Sequence, residues 1–378
     1  MSISEKKKIL FITGTRADYG KLKSLMRAIE DSEEYELHIF ASGMHLLEQY
    51  GRTVREIYKD GYKNIYPAWG IMPTQSMSYN LGNLICALTG YVTSMKPDMI
   101  VVHGDRIEAI AGATVGAINN IRVAHIEGGE ITGTIDESIR HAVSKFAHFH
   151  FVANESAKAN LIQMGEDEKN IYIIGSPDLD IMNSPNLPAL EEVKERYEIS
   201  FDKYSILMYH PVTTELDNTF EHIKNVTKGI QKFGGNYVVI YPNNDSGSDI
   251  ILSRINTFVG KENMRVLSSM RFEYFLTLLK NAECIIGNSS AGIREAGYYG
   301  IPVLDIGSRQ KGRYNLKDQP NIQWVPEDEI AIYDALKHIE NYRKKSFGFG
   351  DGRSTERFMK ILSGDIWEKT LQKKFICI

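Results

Sequence analysis

Cysteine is scarce. Cys86, Cys284 and Cys377 are the three in 378 residues, far apart and without metal-ligand spacing. An odd, sparse count fits a reducing compartment. No apolar run reaches the length of a membrane helix. After Lys6-Lys7-Lys8 the chain is apolar only from Ile9 to Thr13, too short for a signal-peptide core. The expectation is a soluble, cytoplasmic protein with no membrane partner. Positive charge is not in excess either: 44 Lys and Arg face 48 Asp and Glu, a net charge of -4. That balance gives no reason to expect a nucleic-acid partner, and a phosphate ligand would need a local basic site. The chain also lacks the G-x-G-x-x-G dinucleotide fingerprint, the P-loop and any H-x-x-x-H pair. No cofactor and no metal are expected.

What is present is strand, loop, helix, repeated. Short apolar runs, Ile9–Thr13, Leu37–Phe40, Met99–Val102 and Val123–Ile126, end in small or polar residues. Helix-length segments lie between them, as in Gly20–Glu30, Ser76–Met95 and Arg106–Ile118. This alternation predicts a parallel sheet covered on both faces. Proline and glycine then cluster in Gly175-Ser176-Pro177 and Asn183–Pro188, where we place the linker. The pattern restarts with Ser205–Tyr209, Tyr237–Tyr241, Arg265–Leu267, Cys284–Ile286 and Val303–Ile306. The expected class is α/β, two Rossmann-like domains facing a cleft. Residues 1–180 form the first and 189–354 the second. Ligands of open parallel sheets bind beyond the carboxyl ends of the strands, and the unusual residues of this chain collect there.

The first strand ends in Gly14-Thr15-Arg16-Ala17-Asp18, a strand-to-helix loop whose amides suit an anion and whose Arg16 is a planar fork suited to a diphosphate. His103-Gly104-Asp105-Arg106 sets a carboxylate beside a histidine and an arginine. His125-Ile126-Glu127-Gly128-Gly129-Glu130 follows the next strand, and Asp136 comes nine residues after Glu127. Asp105 and Asp136 also read as helix N-caps. Three carboxylates converging on one sheet rim suit proton abstraction and donation. His103, Asp105, His125, Glu127 and His141 are the candidate ligands if a metal were bound.

In the second half His210 stands just past a strand end, placed to donate to a phosphate oxygen. Asn243 holds the matching position after the following strand. Gly287-Asn288-Ser289-Ser290-Ala291-Gly292 opens a helix with hydroxyls and glycine, a phosphate cradle, and Glu295 one turn in could accept both hydroxyls of a ribose. Arg309 and Arg313 lie on a basic loop.

The motifs G-T-R-A-D-Y-G, H-G-D-R, H-I-E-G-G-E, D-E-S-I-R-H-A, H-P-V-T-T and G-N-S-S-A-G-I-R-E occur in order, followed by G-S-R-Q and Leu371–Phe375. Together they resemble the hydrolysing UDP-N-acetylglucosamine 2-epimerases, in particular the bacterial enzymes of sialic acid synthesis and the epimerase half of the animal bifunctional enzyme. The resemblance implies a glycosyltransferase-B-like fold without a metal. Its last helix, here within Thr355–Phe375, crosses back so that 355–378 complete the first domain. It implies catalytic positions at Asp105, Glu127, Asp136 and His210. UDP contacts would fall at Ser289, Ser290, Gly292 and Glu295, with Arg16, Arg106, Asn243 and Arg271 in nucleotide-contact regions. The implied partners are a UDP-sugar, UDP, and further copies of the chain in a homodimer or homotetramer.

A sister family interconverts UDP-sugars without hydrolysis and tends to read H-G-D-T, E-A-G-L-R and Q-H-R. This chain has His103–Arg106, Glu127–Glu130 and Met44-His45-Leu46 at those places, which favours the hydrolysing branch. The accepted sugar stays open between UDP-N-acetylglucosamine and UDP-N,N'-diacetylbacillosamine.

Overall fold

The computed structural model describes residues 6–376 apart from 73–74, 132–134, 244, 315 and 318. Asn244 and Cys377 lie outside the described residues. The chain divides into two compact units. The first comprises Met1–Glu130, Asp136–Asn183 and Phe349–Ile378; the second comprises Ser184–Gly348 with the short stretch Ile131–Ile135. Among the described residues no helix is long and apolar enough to cross a membrane.

The first unit is built on a seven-stranded parallel sheet: β1 Lys7–Thr13, β2 Tyr35–Ala41, β3 Ile65–Pro67, β4 Met99–His103, β5 Arg122–Ile126, β6 Phe149–Val152 and β7 Ile171–Ile173. Their order is β3-β2-β1-β4-β5-β6-β7. The chain starts mid-sheet, runs outward to β3, then returns to the other side of β1. The β1/β4 boundary is therefore the point where winding reverses and where loops splay to leave a crevice. Continuous apolar strands pack both ways: Ile9 and Phe11 of β1 join one core, Leu10 and Ile12 the other. The helix Arg16–Glu30 covers one face through Leu22, Leu25, Met26 and Ile29, the i, i+3, i+4, i+7 stripe of an amphipathic helix. The helix Ser354–Leu362 returns to this unit and buries Phe358 and Leu362 in the same core as β1. Helix stops at Leu362; a 3-10 turn, Asp365–Trp367, and an irregular tail follow.

The second unit carries a six-stranded parallel sheet: β8 Ser205–Met208, β9 Tyr237–Ile240, β10 Met264–Leu267, β11 Ile285–Gly287, β12 Val303–Ile306 and β13 Ile322–Val325. The order β10-β9-β8-β11-β12-β13 repeats the same logic, with its reversal between β8 and β11. Each unit taken alone is thus Rossmann-like.

Candidate active site

In the first unit the sequence-nominated carboxylates follow neighbouring strands. His103 at the end of β4 pairs in register with Ile126 at the end of β5. Asp105 and Glu127 therefore leave the sheet side by side. Gly104 turns the chain at φ 68°, a left-handed conformation natural to glycine. Glu127 adopts φ 63° without that freedom, at a cost of about 1–2 kcal/mol. Its surroundings hold it there: its N–H donates to the Phe151 carbonyl at 2.9 Å, and its own carbonyl accepts from Arg140.

Arg140 organises the group. It lies on the helix Ile135–Phe146, is buried, and donates to the Asp105 carboxylate as well as to the Glu127 carbonyl. A second carboxylate, Glu130, lies 3.9 Å from it. Asp136 stands one turn before Arg140, so the two share a helix face. The Glu127 carboxylate is 96% buried and both oxygens are engaged. His103 Nε2 lies 2.9 Å from Oε2, and the Ser176 hydroxyl donates to Oε1 at 2.5 Å.

Two cap assignments need correction. Arg106, not Asp105, occupies the N-cap of the helix Ile107–Ile118, and Asp136 lies inside the first turn of its helix. Asp105 is drawn to Arg140 instead of capping, because a buried guanidinium must have an anion beside it.

His125 is fully buried and has no open nitrogen. Nε2–H donates to the Gly104 carbonyl at 2.8 Å and Nδ1 lies 3.1 Å from the Ser144 hydroxyl. Burial pushes its imidazole down to about 3, so the ring is neutral. It pins the β4 turn to the Arg140 helix. His141 pairs with Glu137 at 3.0 Å on the same helix. Among the described residues, the group whose atoms are close enough for a shared cation is Glu215, His222 and Glu327, in the second unit. None of the five ligands nominated from sequence belongs to it.

The β1 loop also departs from expectation. The N–H groups of Gly14 and Thr15 donate to the Asp18 carboxylate at 3.0 and 2.9 Å, and Thr15 and Asp18 form a reciprocal capping box. The anion cradled by these amides is the chain's own. Arg16 is held by Glu56 at 2.6 Å. His45, buried and pushed down to about 4 by desolvation, sits between the Thr13 and Thr53 hydroxyls at 3.0 and 2.6 Å.

In the second unit the β8/β11 reversal is clamped by one side chain. The Asn288 Oδ1 accepts from the His210 N–H at 2.7 Å, and its Nδ2 donates to the His210 carbonyl at 2.9 Å. The Asn243 N–H donates to His210 Nδ1 at 3.0 Å. A neutral His210 must therefore carry its proton on Nε2. The Asn243 amide turns back to Asp245. Gly287 has φ 127°, and a Cβ there would meet the Met208 carbonyl at 2.0 Å, so only glycine lets the β11 turn approach β8.

Ser289 is the N-cap of the short helix Ser290–Ile293, accepting from the Ala291 N–H at 3.3 Å. The helix expected to continue through Glu295 is broken at Arg294 and resumes as Glu295–Tyr299. Gly292 packs where a Cβ would meet Val303 Cγ1 at 2.8 Å. Glu295 is buried. Arg309 and Gln310 both donate to the Asn288 carbonyl, at 3.2 and 2.7 Å. Arg271 caps the helix Phe272–Lys280, and its N–H donates to the Tyr197 hydroxyl at 3.0 Å.

Two Rossmann-like units, one with a buried arginine binding a strand-end carboxylate and one with a histidine at its switch point, define a doubly wound α/β protein. Residues 27–363 match the family model described as UDP-N-acetylglucosamine 2-epimerase, and the chain belongs to that family. It is 45% identical to a UDP-N-acetylglucosamine 2-epimerase of Neisseria meningitidis serogroup B, over 98% of this chain and 99% of that one. It is 34% identical to a UDP-N,N'-diacetylbacillosamine 2-epimerase (hydrolyzing) of Legionella pneumophila, over 94% and 95%. In fold it is similar to the crystal structure of Methanocaldococcus jannaschii UDP-GlcNAc 2-epimerase in complex with UDP-GlcNAc and UDP. That match has a TM-score of 0.81 at 23% identity, covering 94% of this chain and 99% of that one. The fold class is the expected one, glycosyltransferase-B-like with two parallel-sheet domains.

Proposed function

We propose that this chain is a hydrolysing 2-epimerase that converts UDP-N-acetylglucosamine and water to N-acetylmannosamine and UDP, the entry step to sialic acid. Family membership supports the epimerase reading. The hydrolysing reading draws support from the Legionella relative's printed activity and from the H-G-D-R and E-G-G-E motifs. The observation that carries it is the joining of Asp105 and Glu127 through Arg140, with Asp136 one turn away.

The chemistry follows from the sugar. Carbon 2 carries a weakly acidic hydrogen and carbon 1 a good leaving group. A carboxylate takes the proton from carbon 2 as the carbon 1–oxygen bond breaks and its electron pair leaves with UDP. The product of that step is 2-acetamidoglucal. Water then adds through oxygen at carbon 1, and a proton returns to carbon 2 on the opposite face. Epimerisation and loss of UDP are one pathway, and it needs a base and an acid. Asp105, Glu127 and Asp136 are the groups we assign to it. His210, through Nε2–H, and Ser289 and Ser290 would stabilise the departing diphosphate. Arg16 and Arg106 would supply further positive charge, and Gly292, Asn243, Arg271 and Glu295 would hold the nucleotide. A second reading keeps this chemistry and changes the sugar to UDP-N,N'-diacetylbacillosamine, on the strength of the Legionella relative.

The test is incubation with UDP-N-acetylglucosamine as sole substrate. Free N-acetylmannosamine and UDP in equal amounts are expected. Recovery of UDP-N-acetylmannosamine would assign the non-hydrolysing reaction, and an unchanged donor would remove this sugar as substrate. Glu295 gives a separate check on the nucleotide site. Glu295→Ala should weaken UDP binding by about 1–3 kcal/mol, the cost of losing hydrogen bonds to a charged acceptor. Calorimetry that finds the affinity unchanged takes Glu295 out of that site.

A further inference from the structure

We propose that Ser176 is a positioning residue for proton transfer, acting through Glu127. The proposal rests on the reading above that Glu127 is one of the proton-transfer carboxylates. Ser176 follows β7 in Gly175-Ser176-Pro177, a stretch whose composition reads as linker. The structure instead buries it completely in the first unit. Its N–H donates to the Phe349 carbonyl at 2.8 Å, so the returning C-terminal segment fixes the backbone. Gly175 beside it has φ 87°, and a Cβ there would meet Ser354 Oγ at 3.0 Å. Held in this way, the hydroxyl lies 2.5 Å from Glu127 Oε1.

The consequence is electrostatic. Glu127 faces His103 from β4 at 2.9 Å through its other oxygen. Arg140, from the helix Ile135–Phe146, binds its carbonyl and spends its charge on Asp105, with Glu130 3.9 Å away. His125 on β5 and His150 on β6 are buried and kept from protonation by desolvation. The Ser176 hydroxyl is thus a neutral donor to one carboxylate oxygen. Donation to the ionised form stabilises that form. It also fixes the carboxylate plane from the side opposite His103. Ser176 therefore keeps Glu127 an oriented base at lower pH than His103 alone would allow.

The test is a double-mutant cycle on the full chain with UDP-N-acetylglucosamine, read as kcat, KM and the pH profile of kcat. Ser176→Ala should lower kcat by about tenfold or more and move the acid limb up by about one pH unit, the scale of one hydrogen bond to a charged group. KM, UDP affinity and thermal midpoint should stay near wild type. In the Glu127→Gln background, Ser176→Ala should cost little more, because the two act as one unit. A limb that does not move, or losses that simply add, would overturn the proposal and leave the Glu127 assignment standing. Near-normal turnover by Glu127→Gln alone would overturn the proposal together with the reading on which it rests.

Discussion

Asp105→Asn, Glu127→Gln and Asp136→Asn should each lower turnover of UDP-N-acetylglucosamine by about two to four orders of magnitude, the range of a general acid or base. The amides keep the shape and most hydrogen bonds but cannot accept a proton. UDP affinity should stay near wild type, since we assign these three carboxylates to proton transfer and the nucleotide to other residues, most of them in the second unit. The variants should also divide. Loss of the base stops UDP release, whereas loss of a residue needed only for hydration lets UDP go and leaves the glucal behind. Product analysis by mass spectrometry separates the two. Turnover within a few-fold of wild type in all three would show that the elimination chemistry belongs to other groups.

The second large effect is on stability. Glu166 is buried beneath the Arg140 helix and serves three partners. Its Oε1 accepts from Lys145 at 2.9 Å; its Oε2 accepts from Lys373 at 2.5 Å and lies 3.1 Å from His150 Nε2. Burial pushes the carboxyl up, but the bonds from His150, Lys145 and Lys373 outweigh it and hold it near 2. Lys373, in the C-terminal tail, also donates to the carbonyls of Ser144, Lys145 and Ala147 at 3.2, 3.0 and 2.7 Å, closing the C-terminal end of the Arg140 helix. Glu166→Ala leaves a partly exposed ammonium without its anion and the buried His150 without its partner, and should destabilise the first unit by about 1–3 kcal/mol.

The pH dependence has a definite sign. The folded carboxyl lies below its unfolded value, so its stabilisation is complete above the ordinary glutamate range. It is lost as pH falls from there toward about 2. Urea midpoints of wild type and variant should therefore differ most at pH 7 and draw together progressively as pH falls below the ordinary glutamate range toward about 2. A Trp324→Phe background removes the second unit's tryptophan, leaving Trp69 and Trp367 to report on the first unit. Equal midpoints at pH 7 would mean that the buried cluster contributes nothing net.

The doubly wound architecture was legible because its central strands are continuous apolar runs. Four strands escaped, β3, β6, β7 and β13, and in the first three the cause is a short or broken pattern. β3 is three residues ending in Pro67, and β7 is equally short. β6 alternates phenylalanine with His150 beside His148, which reads as half-exposed. In fact His148 accepts from the Val123 N–H at 3.0 Å and His150 meets Glu166, so both faces are buried. Periodicity cannot distinguish a buried histidine with a partner from an exposed one.

The candidate site was legible in the same uneven way. Asp105, Glu127 and His210 stand at strand ends, where the sheet alone places them. Arg140 and Ser176 have partners 35 and 49 residues away, and local sequence does not say which residue so distant will be the partner. Arg140 did leave one signal: it shares the buried i, i+3, i+4 face with Val143 and Ser144, where an arginine must have an anion. The misread caps have a related cause. An aspartate before a helix is ordinarily a cap, and only the tertiary position of Arg140 turns Asp105 elsewhere.

The most direct test of the central claim is proton NMR of the wild-type enzyme turning over UDP-N-acetylglucosamine in deuterated water. Removal of the carbon 2 proton by a carboxylate and its return from the other face predict N-acetylmannosamine carrying deuterium at carbon 2, formed in step with UDP. N-acetylmannosamine that retains its original proton at carbon 2 would contradict the account.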